Sequence, residues 1–246
     1  HGIAAHRPKS LTDLLTVRGV GPAKVEKYGA EVLALVAEAG HHPVAIQPTN
    51  EPSHDPIAAF LSRPHPRPLK GPWLAGWALD FHSRFDGDEQ IRSAVGELAF
   101  RYKYNGERHL AHDLAARWVE LLAAHSELPK PDVVIPIPPS IRRDFDPVAL
   151  LAQALAEKLG VPTIIDALVK TRATRPQKEM TALAQKQANV AGAFALKGEV
   201  RGKRLILVDD LYDSGATLAE AARALTRGGA ASLVVLTLTK TIHADA

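Results

Sequence analysis

The chain has no cysteine among its 246 residues, which excludes disulfides, cysteine–zinc sites and cysteine nucleophiles together. It also has no apolar stretch as long as a membrane span, and its first residues lack the charged-then-apolar order of a signal peptide. The lack of a span and of a signal sequence predicts a cytoplasmic protein with no membrane partner. A strong charge of one sign is missing too: 30 Lys and Arg stand against 27 Asp and Glu, a formal net charge of +3. That excess is too small to argue for nucleic-acid binding by the whole chain, so any such binding needs a local patch. Neither a GxxxxGK[ST] loop nor a helicase acidic box occurs, which excludes a nucleotide-driven motor within these residues. Internal repeats are not evident.

What is present suffices for a fold: 46% hydrophobic residues at this length bury one large core or two smaller ones. The most informative stretch is RLILVDDLYDSGAT, Arg204 to Thr217. Leu205, Ile206, Leu207 and Val208 form an uninterrupted apolar run, the pattern of a parallel strand buried on both faces. Asp209 and Asp210 follow at once, at the carboxyl end of that strand, where open α/β sheets bind ligands. Asp213, Ser214, Gly215, Ala216 and Thr217 then lead into the helical pattern LAEAARAL, so backbone N–H groups and a helix N-terminus face an anion. Carboxylates suit hydroxyls, whereas phosphate suits backbone N–H, Ser and Thr, so the layout is that of a site for a phosphorylated sugar. The plainer reading is a strand that ends in an Asp cap of the next helix.

VDDLYDSGAT resembles the phosphoribosyl pyrophosphate (PRPP) signature of type I phosphoribosyltransferases. By that resemblance Asp209 and Asp210 take the ribose hydroxyls, and Asp213, Ser214, Gly215, Ala216 and Thr217 wrap the 5′-phosphate. Asp213 also occupies the place of the acid that in some members acts as a base towards the incoming nucleobase, so the catalytic candidates are Asp213, Asp209 and Asp210. The chain from about Trp73 is similar to one branch of that superfamily, the ComF-like competence proteins. The matching pieces are ELAFRYKYNGERHLAHDLA, PDVVIPIPPS, KTRATRPQ, QANVAGAF, the PRPP loop and LVVLTLTKT, in that order. Two departures stand out. The four-cysteine zinc module with which that family usually begins is absent, and its Arg-Gly-Phe-Asn-Gln stretch is replaced by Arg143-Asp144-Phe145-Asp146-Pro147.

The N-terminal run PKSLTDLLTVRGVGPAKVEKYGAEVLALV has Ser10 as an N-cap and apolar positions at helical spacing. A Gly19-Val20-Gly21 break separates the first helix from a second that begins near Pro22. This helix pair resembles the last part of the HRDC domain found in RecQ-type DNA helicases. The resemblance makes Arg18, Lys24, Lys27 and Tyr28 candidates for contact with DNA phosphates, and single-stranded DNA a candidate partner. A helix pair of this size does not bury enough surface to be stable unaided, and the chain opens at His1 in mid-pattern. It therefore reads as a C-terminal fragment of a longer helicase-like protein. The plainer reading of residues 1–40 is a packing appendage with ordinary surface lysines.

Eight prolines between Gly40 and Pro72 remove backbone donors and fix φ, which predicts an extended spacer, with one short helical piece from Asp55 to Leu61. Beyond it the pattern predicts helices near 90–104, 107–125, 147–159 and 216–227. Strands are predicted at 133–137, 163–169, 193–196, 204–208 and 232–239. Strands alternating with helices mean a parallel α/β sheet. Pro136, Pro138 and Pro139 either stiffen a loop beside the pyrophosphate or simply end a strand.

The polar segment from Lys170 to Ala191 corresponds in the family to a hood over the active site. A hood fits the chemistry, because the ribose C1 becomes cation-like as pyrophosphate leaves and water must be kept from it. Lys170, Arg172 and Arg175 are candidates to neutralise pyrophosphate, with Mg²⁺ bridging its oxygens as the implied cofactor; the bland alternative for each is a solvated loop charge. Arg101 and Lys103 carry the same two readings. His109 and His112 lack a third ligand, Trp73 and Trp77 read as core residues at helical spacing, and Asp86, Asp88 and Glu89 read as an acidic turn.

The expected architecture is an HRDC-like helix pair over residues 1–40, a Pro-rich linker over 41–72, and a type I phosphoribosyltransferase fold over 73–246 with a parallel sheet flanked by helices. The expected activity is Mg²⁺-dependent phosphoribosyl transfer from PRPP, the ligand being PRPP or a ribose-5-phosphate-containing nucleotide. The alternative is a non-catalytic DNA-binding or nucleotide-sensing module of a repair or recombination helicase.

Overall fold

Alternation along the parallel strands of one sheet organises the larger part of the chain. The computed structural model describes residues 10–15, 25–26, 29–30, 32–33, 56–62, 65–86, 89–139, 145–175, 180 and 182–242. The chain divides into two compact units, His1–Pro52 and Ser53–Ala246. In the first, α1 (Leu11–Leu15) opens with a reciprocal cap. Asp13 N donates to Ser10 Oγ at 3.1 Å, and Ser10 N donates to Asp13 Oδ2 at 3.0 Å. Leu14 and Val25 are buried, and residues 25–26, 29–30 and 32–33 are helical.

The second unit opens with α2 (Pro56–Ser62), β1 (Arg67–Pro68), β2 (Ala75–Phe81), β3 (Ser83–Asp86) and β4 (Glu89–Arg92). Next come α3 (Ala94–Tyr104), α4 (Leu110–Ala123), β5 (Val133–Pro136) and α5 (Pro147–Leu159). The remainder is β6 (Leu168–Lys170), α6 (Leu183–Val190), β7 (Phe194–Leu196), β8 (Arg204–Tyr212), α7 (Ala216–Arg227) and β9 (Ser232–Lys240). The main sheet has the order β1-β2-β9-β8-β5, parallel throughout except for the antiparallel edge strand β1.

Successive side chains of a strand point to opposite faces, and here both faces are apolar. Val134, Ile206, Val208, Val234 and Leu236 join the core beneath α3, α4 and α5. Val133, Ile135, Leu205, Leu207, Leu233 and Val235 join the core shared with α7 and the β6–β7 ribbon. Trp118 of α4 is fully buried, and its indole N–H donates to the Thr237 carbonyl at 3.2 Å, which ties that helix to the middle of β9. Asp146 caps α5 by accepting from the Val148 and Ala149 amides, Pro147 occupies the first turn, and Gly160 closes the helix in the left-handed region at φ 68°.

Several sequence expectations are corrected. Trp73 and Trp77 pack against the cores as expected, but the spacing is not that of a helix: β2 pairs in parallel with β9, and the Trp77 ring stacks on His125 at 4.5 Å between centroids. The helix predicted from about residue 90 starts at Ala94, because Glu89–Arg92 pairs with Ser83–Asp86 as an antiparallel strand and Ser93 caps the helix by accepting from Gly96 N. The strand predicted over 163–169 is reduced to an isolated bridge at Thr163 and the short β6. The described part of the proline-rich stretch is built into the second unit: Phe60 and Leu69 are core residues, and Pro68 pairs with Trp77 across β1 and β2.

Candidate functional site

At the carboxyl ends of β5 and β8 lies a cleft of about 560 Å³ whose lining includes Lys103, Pro138, Lys170, Asp209, Asp210 and Thr217. Strand β8 continues four residues past its apolar run, so both acids are presented from rigid backbone. The Asp209 carboxylate accepts from the Asp210 amide at 2.8 Å. Burial raises the Asp209 carboxyl well above the usual carboxylate range, and the neighbouring Asp210 charge adds to the shift. Asp210 is held by Lys103 of α3, with Nζ 2.5 Å from Oδ2 and both side chains about four-fifths buried. Burial alone would lower the Lys103 ammonium; the charge and hydrogen bond of Asp210 outweigh it and hold it above its ordinary value. Across the cleft, burial lowers the Lys170 ammonium against the opposing pull of Asp209.

The loop after β8 turns through Gly215 at φ 73°, where α7 begins. A Cβ there would lie 2.6 Å from the Tyr212 hydroxyl, so glycine is required both by backbone conformation and by the ring beneath it. Tyr212 is buried and donates to the Lys70 carbonyl at 2.9 Å, which fixes the ring. Asp213, Ser214, Gly215, Ala216 and Thr217 all border the cleft, around the opening of a twelve-residue helix. The Asp213 carboxylate is held at both oxygens: Lys186 Nζ lies 2.5 Å from Oδ2, and Thr241 Oγ1 donates to Oδ1 at 3.3 Å.

The seven residues Asp209, Asp210 and Asp213 to Thr217 thus come together in one place. Of the three cations predicted over pyrophosphate, Lys170 borders the cleft, while Arg172 and Arg175 lie outside its lining. Arg172 Nη2 donates to the Ala191 carbonyl at 2.9 Å. The Arg175 backbone exchanges hydrogen bonds with the Asn189 side chain, N–H to Oδ1 and Nδ2–H to O, each at 3.0 Å. Lys103 belongs to the site, whereas Arg101 is taken up by a bidentate pair with Glu107. Arg18, Lys24, Lys27 and Tyr28 lie outside the described residues. Sequence reasoning missed Lys186 and Thr241. Nothing local distinguishes Lys186 among the hood cations, and Thr241 is drawn in only by the end of β9.

This sheet, with a diacid strand end above a glycine turn into a helix, defines a domain of the phosphoribosyltransferase type. Residues 148–244 match the family model for the phosphoribosyl transferase domain, and residues 1–36 match that for the HRDC domain. The chain belongs to the family of the ComF-like DNA utilization proteins. It is 36% identical over 156 residues to DNA utilization protein YhgH of Shigella flexneri, covering 60% of this chain and 68% of that protein. It is 34% identical over 152 residues to YhgH of Salmonella typhi, covering 59% and 66%. Against competence protein F of Haemophilus influenzae it is 30% identical over 154 residues, covering 60% and 66%. The matched segments thus span about two thirds of these relatives.

Proposed function

We propose that the cleft binds PRPP or a related ribose-5-phosphate nucleotide, and that the domain transfers the phosphoribosyl group to an acceptor with release of pyrophosphate. The observation that carries this reading is the placement of Asp209 and Asp210 beside the Asp213–Thr217 loop at one strand end. Asp209 and Asp210 accept hydrogen bonds from the two ribose hydroxyls, which fixes the ring and the direction of C1. The amides of the loop and the hydroxyls of Ser214 and Thr217 hold the 5′-phosphate at the start of α7. Lys170, at the cleft edge, faces the pyrophosphate. The hood between Lys170 and Ala191 excludes water while the bond from C1 to pyrophosphate breaks and its electrons leave with the pyrophosphate.

Mg²⁺ fits this donor set. Asp209 and Asp210 offer hard oxygen ligands, and the raised Asp209 carboxyl marks a place where added positive charge is favourable. Among the described residues no group of three or more His, Asp or Glu converges to hold a metal, so the ion would be carried by the oxygens of PRPP, with Asp209 and Asp210 beside it. Bound in that way, it supplies neutralisation of the pyrophosphate charge.

Isothermal titration of PRPP with Mg²⁺ tests the reading, with Asp209→Ala/Asp210→Ala as the comparison. The expected result is binding to the native protein and loss of at least about a hundredfold in the variant, as two charge-assisted contacts disappear. A well-folded native protein that does not bind PRPP would sink the proposal. The HRDC match at residues 1–36 favours a second reading, a DNA-binding or nucleotide-sensing accessory module of a RecQ-type repair helicase. Pyrophosphate release during turnover with nucleobase acceptors separates the two.

A further inference from the structure

An aspartate inside an anion-binding loop is a physical contradiction unless something neutralises it. Asp213 opens the proposed phosphate loop, and its carboxylate would repel a phosphate held by Ser214 to Thr217. The counter-charge comes from the hood. Lys186 lies on α6, reaches across to Asp213 Oδ2 at 2.5 Å, and is only 14% exposed, against 36% for Asp213. Thr241 occupies the other carboxylate oxygen. The base of the hood is fastened to the same helix that the loop opens: Glu220 of α7 is buried, accepts from the Gly192 amide at 3.1 Å, and is paired with Arg223 and Arg227. The stretch from α6 to Gly192 is therefore attached to α7 and its loop at two points, Gly192 to Glu220 and Lys186 to Asp213.

We infer that Lys186 is a positioning residue of the phosphate site, which neutralises Asp213 from α6 and so leaves the loop free to take an anion. This inference rests on the phosphoribosyl reading of the loop. With Lys186 seated, the loop presents N–H groups and hydroxyls without a bare carboxylate among them. With Lys186 withdrawn, the same loop is a poor anion site. Because linkage is reciprocal, a phosphate in the loop strengthens the Lys186–Asp213 pair by the same factor by which the pair favours the phosphate.

A double-mutant cycle reads this directly, with ribose 5-phosphate titrated into the native protein, Lys186→Gln, Asp213→Asn and the double variant. Lys186→Gln is expected to weaken binding about tenfold, the effect of one unneutralised charge at close range in a partly screened site. The double variant is expected to recover most of that loss, since no carboxylate remains to be neutralised. In the ligand-free protein, hydrogen exchange in α6 is expected to speed up in Lys186→Gln, whereas the exchange of β8 stays unchanged. A double variant as weak as Lys186→Gln would overturn the inference, because Lys186 would then act on the ligand itself. Unaltered affinity in Lys186→Gln would overturn it equally. A native protein that binds neither ribose 5-phosphate nor PRPP removes the phosphoribosyl reading as a whole, so the two failures are distinguishable.

Discussion

Asp209 shows how function and stability oppose each other at one residue. Burial and the Asp210 charge place its folded-state pKa above the value of an unfolded chain. Between those two values the folded protein binds more protons than the unfolded one, so stability falls as pH rises from about 4, the ordinary carboxylate value, through the raised one. Asp209→Asn removes that titration and can still accept the Asp210 amide. It is expected to raise unfolding free energy at pH 8 by about 1–3 kcal/mol, with little change at pH 4, while PRPP binding is lost. Denaturant unfolding at both pH values checks this, and equal effects at pH 4 and pH 8 would show that the carboxyl is not raised. Lys103 and Lys170 border the same acids from α3 and the end of β6, and they moderate the repulsion between the two carboxylates.

At the scale of elements, the same physics decides what could be read in advance. The strands β8 and β9 and the helices α5 and α7 were legible because burial on both faces, an Asp-Pro start and a glycine turn are local signals. For β2 and the β3–β4 hairpin no such signal existed: AGWALDF is a strand because β9 offers it a parallel partner six residues long in register. The diacid and the loop were likewise legible as one contiguous string. Lys103 and Lys186 enter the site through helices distant in sequence, and only the packing of α3 and α6 brings them there. The cap of α5 matters for the same reason, since Phe145, Asp146, Pro147 and Val148 form one wall of the cleft. Asp146→Ala leaves the Val148 and Ala149 amides without their side-chain partner and is expected to cost about 1 kcal/mol, or a Tm lower by about 2–4 °C. Scanning calorimetry measures it, and an unchanged Tm would mean that water replaces the cap without cost.

On the scale of the whole molecule, two compact units share one chain with a net charge of only +3. Any DNA binding therefore has to arise locally and carry the signature of a few phosphate contacts, unlike that of a broadly basic surface. The HRDC-matched segment supplies the candidates Arg18, Lys24, Lys27 and Tyr28. If Lys24 and Lys27 each neutralise one phosphate of a single strand, log K for an oligonucleotide falls with log salt, and the double Lys24→Ala/Lys27→Ala variant lowers that slope by about 1.4. Fluorescence anisotropy of a labelled oligonucleotide between about 50 and 200 mM salt measures the slope. The same variant is expected to bind PRPP like the native protein, because the proposed sugar-phosphate site draws its residues from the unit Ser53–Ala246. An unaltered slope would remove these lysines from the DNA reading. A slope that falls while PRPP affinity falls with it would mean instead that the two units are energetically coupled, with nucleic acid and sugar phosphate sensed together.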